Sequence, residues 1–237
     1  MPKTGRSAHG LDIGPLGNAR LTGLAGVTLF VLLSIEIASV LALRTFMTVH
    51  VFVGVVLAGP LVVKLASTGY RFACYYLRSP AYVRRGPPVL GLRVLAPFLV
   101  LATGLLIASG FGLVLTGPDR PGPPIVVHNL TAALWLSMIG IHAVAYLRPA
   151  AGLAAADLTP RAAAVSGRDL RLVGNAIAIG LGVIAAVILL PAAVPWVGWS
   201  QGVQSIPGPF VAGAIVAVLA VALARPLRWE RRESASR

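Results

Sequence analysis

His128 and His142 stand 14 residues apart within VHNLTAALWLSMIGIHAVAYL, a run from Val127 to Leu147 that is apolar enough to cross a bilayer. On an α-helix, steps of about 100° and about 1.5 Å per residue bring two such residues to nearly one face, about 21 Å apart along the axis. A third histidine, His50, lies about three residues past the start of another apolar run, the same depth as His128 in its own. Ionisable side chains inside membrane helices are rare and default to a functional reading. Two neutral imidazoles from facing helices are what the iron of haem b takes as axial ligands, so His50 and His128 form the expected ligand pair. The competing reading makes each histidine a hydrogen-bonded side chain that holds two helices together. The matched depth of two of them favours the metal.

Other polar and small residues surround this pair. Lys64 follows His50 by 14 residues, so two parallel helices put it level with His142. Its ammonium either snorkels to the interface along a flexible stem, or neutralises a haem propionate or a quinone carbonyl near His142. Gly54, one turn from His50, leaves room for a flat macrocycle against the helix, as do Gly104, Gly110 and Gly112; alternatively these glycines let helices approach each other in lipid. Phe52, Phe98, Phe111 and Trp135 are available to pack a macrocycle or simply the bundle core. Glu36 is a carboxylate inside the first apolar run, either a proton relay to a quinone or a hydrogen-bond partner of a neighbouring helix. Pro60 removes one rung of the helix ladder and predicts a kink between His50 and Lys64. The single cysteine, Cys74, excludes an internal disulfide and a Cys-rich metal site.

The elements that position these residues follow from composition. With 57% hydrophobic and 11% charged residues, the chain belongs to the membrane class. The net charge of +13 comes from arginines that flank apolar runs, which excludes a nucleic-acid-binding stripe. Six runs read as transmembrane helices: 21–43, 46–68, 94–116 (reached through Pro97), 125–147, 172–190 (closed by Pro191 and Pro195) and 210–224. Helix is the state that satisfies backbone groups in lipid, and the alternation of a barrel strand is absent. The fold class is therefore all-α integral membrane, with the first four of six spans forming a haem-binding-type bundle. The chain divides into a polar tail 1–20, the bundle 21–147, a connection 148–171, two further spans 172–224 and a basic tail 225–237. The first span serves as an uncleaved insertion signal. Seventeen of the 20 Lys and Arg residues fall in the two tails and the second and fourth connections, so both termini are expected in the cytoplasm of a bacterial-type inner membrane. Trp196 and Trp199 are expected at the opposite interface. The run GYRFACYYLRSPAYVRR reads as a basic, aromatic segment on the inner membrane surface, where Arg71 or Arg93 meets anionic lipid or a propionate.

HVFVGVVLAGPLVVKLASTGYRFACYYL and HNLTAALWLSMIGIH, with the interval of 14 residues, make residues of about 20–147 resemble the four-helix b-type cytochrome membrane subunits. That group includes the gamma subunit of formate dehydrogenase and the cytochrome b subunit of nickel hydrogenases. The resemblance covers a little over half the chain. It implies two haems stacked across the membrane, with electrons passing between a quinone and a redox partner subunit. It implies His50 and His128 as ligands of the outer haem and His142 as one ligand of an inner haem. Lys64 stands where the inner haem would want its second imidazole, so one haem b is expected and the second lacks a ligand. The expected function is electron transfer as a membrane subunit, not as a stand-alone enzyme. Two alternatives remain: a haem-free anchor or assembly subunit for a separate enzyme, and a small proton-coupled transporter with Glu36, Lys64 and the histidines along a proton path. The transporter reading predicts symmetric halves, which the spans do not display.

Overall fold

The computed structural model describes residues 14–159, 165–200 and a few positions between 211 and 219. Every described element is a helix: α1 (Pro15–Leu41), α2 (Leu43–Val56), α3 (Ala58–Tyr76), α4 (Pro80–Arg85), α5 (Leu90–Thr116), α6 (Gly122–Leu158) and α7 (Arg168–Ser200). Taking α2 and α3 as one pass, five of these stretches are long and apolar enough to cross a membrane. The sixth expected span, 210–224, lies mostly outside the described residues, as do His9, Arg161 and both tails beyond residues 14 and 219. Large apolar side chains face outward along the passes, Val62 at 65% exposure and Ile188 at 69% among them. A surface of this kind suits hydrocarbon and not water.

The helices outrun their expected ends. α5 begins at Leu90 and carries Pro97 inside it; α6 continues through Pro149 to Leu158; α7 continues through Pro191 and Pro195 to Ser200. A proline removes one ladder bond, and packed neighbours let a membrane helix continue past it. Trp196, expected at an interface, is buried at 4% exposure inside α7 and donates its indole N–H to the Leu113 carbonyl at 3.2 Å. The basic, aromatic run divides between the end of α3 and the short α4. Its arginine Arg71 donates to the Gly86 carbonyl at 3.3 Å, and Arg93 donates to the Tyr76 hydroxyl at 2.6 Å.

The ladder gap expected at Pro60 is present, with α2 and α3 parting at Leu57, but Leu57 keeps helical angles (φ −55°, ψ −29°) and no sharp kink follows. Proline has no N–H for the carbonyl four residues back, here Val56. Helix α7 packs onto that gap. A Cβ on Gly182 would come within 2.6 Å of the Val56 carbonyl oxygen, and one on Gly59 would collide with the Ala178 carbonyl. Ala186, one turn beyond Gly182, is also fully buried. Small residues on both sides let the two backbones touch. Helix α7 therefore belongs to the same packed body as the first four passes, with α2 as its principal neighbour.

Elsewhere α5 packs on α6 around Leu99, Ala102, Trp135 and Leu136, where Trp135 donates to the Thr103 hydroxyl at 2.9 Å. Helix α1 packs on α2, α3 and α6. Asp157 ties three helices together. It is fully buried, and its carboxylate takes Arg20 of α1 at 3.2 Å and Arg171 of α7 at 2.6 and 2.8 Å. Arg168 adds a bond to the Asp157 carbonyl at 2.6 Å. This cluster exists because α6 extends into the stretch expected as a connection.

Candidate functional site

Helices α1 and α2 form a tight hairpin. Ala42 leaves helical geometry at φ −133°, ψ 53°, and Phe46 does so at φ −114°, ψ 22°. Residues equally far from the turn therefore stand at one height. Glu36 and His50 lie seven residues to either side of Leu43, and Glu36 Oε1 is 2.9 Å from His50 Nδ1. Ser39, one turn nearer the hairpin, places its hydroxyl 3.3 Å from the same nitrogen.

His128 lies six residues beyond the start of α6, and His50 lies seven beyond the start of α2. The two rings meet as expected, with centroids 6.4 Å apart and planes at 85°. The helices that carry them are not packed on each other among the described residues: α2 rests on α7 and α1, and α6 on α5 and α1. The imidazoles reach towards each other across the seam between them.

Two serines fix how each ring presents itself. Ser39 donates its hydroxyl hydrogen to the carbonyl of Glu36 at 2.6 Å, and Ser109 donates to the carbonyl of Leu106 at 3.0 Å. Each hydroxyl then faces an imidazole as an acceptor: Ser39 at His50, and Ser109 at His128 Nδ1, 3.2 Å away. Both Nδ1 atoms thus sit against oxygen partners, and where Nδ1 carries the proton the Nε2 lone pair of each ring is left to accept.

The remaining expected residues fall into place differently. The room beside Gly54 is used by the Glu36 carboxylate, since a Cβ there would lie 3.3 Å from Oε1. Gly110 of α5 makes room for the imidazole itself; its Cβ would lie 3.2 Å from His128 Cε1. Gly104 faces open space, and Gly112 lies beside Pro124. Phe98 is 60% exposed and points out of the bundle. Phe52 and Phe111 pack in apolar clusters with α7 and α1 residues. Lys64 donates to the Thr22 carbonyl at 3.0 Å over the notch left by Gly26. His142 is half-buried and stacks on Tyr146, with centroids 4.8 Å apart. The structure thus joins His50 and His128, adds Glu36, Ser39 and Ser109 to them, and leaves Lys64 and His142 apart from that group. The equal distance of Glu36 and His50 from the hairpin was a signal available in the sequence. The two serine contacts depend on packing between helices and had no such signal.

Among the described residues, no three or more His, Cys, Asp or Glu side chains are grouped as they would be to hold a bare metal ion. No protein-family model, curated protein or solved structure matches the chain, so none identifies it with a cytochrome b subunit family.

Proposed function

We propose that this chain is a multi-pass membrane protein that holds one haem b between His50 and His128 and passes electrons between a membrane quinone and a redox partner subunit. The observation that carries this reading is the separation of the two rings, 6.4 Å between centroids. At that separation the two rings would both reach one iron held between them, and they would supply its protein ligands. The donor set fits as well. Both rings have Nδ1 engaged by a neighbouring side chain, the arrangement that orients a ligating histidine. A porphyrin supplies the other four nitrogens, so two histidines suffice where a bare ion would need more.

In this reading a bound haem supplies one-electron redox chemistry. The chain's own residues hold Nε2 of both rings in the ligating tautomer, fix the ring planes, and keep water away with the apolar faces of α1, α5 and α7. The basic ends of the passes favour a plasma-membrane protein with cytoplasmic termini.

The test is a reduced-minus-oxidised spectrum of the full chain, purified in detergent from haem-replete cells. A b-type spectrum is expected in the wild type and is expected to vanish in His50→Ala and in His128→Ala. Its full retention in both variants ends the assignment. A second reading, a haem-free anchor or assembly subunit, is favoured by one observation: the Nδ1 atoms and Lys64 all have protein partners without any ligand. Colourless wild-type protein supports it.

A further inference from the structure

The two imidazoles stand on unlike supports. His50 Nδ1 meets a carboxylate at 2.9 Å, whereas His128 Nδ1 meets a serine hydroxyl at 3.2 Å. We propose that Glu36 is a positioning residue that sets the donor strength of His50 and so holds the centre's reduction potential low. The proposal rests on the reading of His50 and His128 as haem ligands.

A carboxylate that accepts the distal N–H of a ligating imidazole draws the proton towards itself and makes the ligand more basic. A more basic ligand and a nearby negative charge both favour ferric over ferrous iron, because the ferric centre carries one more positive charge. Glu36 is built to act this way. Its Oε2 takes no hydrogen bond among the described residues, so the contact of Oε1 with His50 Nδ1 is the one that orients the carboxyl group there. Gly54 leaves the space the carboxylate occupies. Lys64 is directed to Thr22, which lies about 21 Å along α1 from Glu36 and too far away to neutralise it.

The experiment is a potentiometric titration of the purified, haem-loaded full chain at one pH, followed in the b-type absorption bands. Glu36→Gln keeps the shape and the acceptor but removes the charge. It is expected to raise the midpoint by at least the equivalent of a tenfold change in the ferric-to-ferrous ratio, about 59 mV for one electron. Ser109→Asp brings a carboxylate to the other imidazole and is expected to lower the midpoint. A potential unchanged in both loaded variants overturns the proposal, since a purely structural Glu36 would not move it. Should Glu36→Gln not accumulate as loaded protein, Glu36→Ala is titrated in its place: a raised midpoint supports the proposal and an unchanged one overturns it. Colourless wild-type protein removes the haem reading and this proposal together, whereas pigmented protein with unmoved variants removes only this one.

Discussion

Glu36 and His50 face each other across the α1–α2 hairpin as a carboxylate–imidazole pair, 2.9 Å from Oε1 to Nδ1. The same hairpin register brings Thr22 to Lys64 much further from the turn, where the ammonium takes the Thr22 carbonyl at 3.0 Å. One short turn at Ala42 therefore sets two polar contacts at opposite depths of the same helix pair.

The haem-to-chain ratio is expected to be one. His142 lies against Tyr146 and meets no second imidazole among the described residues, while His50 and His128 meet each other. Pyridine haemochrome assays against protein concentration check this, and His142→Ala is expected to keep the wild-type haem content. A ratio of two, or loss of half the haem in His142→Ala, contradicts the single-site reading.

Gly59→Ala and Gly182→Ala are expected to destabilise the bundle, because each new methyl meets the backbone of the facing helix. Overpacking of this kind costs about 1–3 kcal/mol. Gly180→Ala, on the same helix with nothing within 4 Å of its Cβ, is the control. Thermal unfolding in detergent separates them. Equal midpoints for Gly180→Ala and Gly182→Ala would show that the close crossing contributes nothing.

Asp157→Ala is expected to loosen α1 and α7 from α6 together, since it leaves Arg20 and Arg171 buried without their carboxylate. Removing one partner of a buried ion pair costs about 3–5 kcal/mol. Denaturant unfolding and protease accessibility near residues 159–168 report it. A midpoint that moves no more than that of an exposed substitution such as Asp169→Ala rules out the clasp as a stabilising element.

Stability is expected to fall at alkaline pH through Tyr82, which lies in α4 outside the passes. Burial, then the neighbouring Tyr70, pushes its phenol up to about 12. A raised acid pKa in the fold means that the neutral ring contributes stability fully below the unfolded value of about 10, lost as pH climbs from there towards 12. Tyr82→Phe is expected to flatten that part of the profile, and an unchanged slope would remove Tyr82 as its source.

Periodic and compositional signals carried much of this architecture. Long apolar runs located the five described passes, the depth of His50 and His128 in their runs predicted their meeting, and Pro60 predicted the ladder gap before it. Proline misled at Pro191 and Pro195, where local ladder loss is outweighed by tertiary packing that no single run displays. The Asp157 cluster was not foreseen because it lies where α6 runs on past Leu147 into the stretch expected as a connection. Gly54 was correctly read as a place of missing bulk, but what fills that place, the Glu36 carboxylate, belongs to another helix.

The seam between α2 and α6 has a bearing on how the molecule is made. Each of those helices is anchored to other neighbours, so parting them sacrifices little buried contact. Under the proposed function, a haem is therefore expected to enter here after the helices have docked, without their unfolding. Membrane insertion of the chain and its acquisition of colour are then expected to be separable in time.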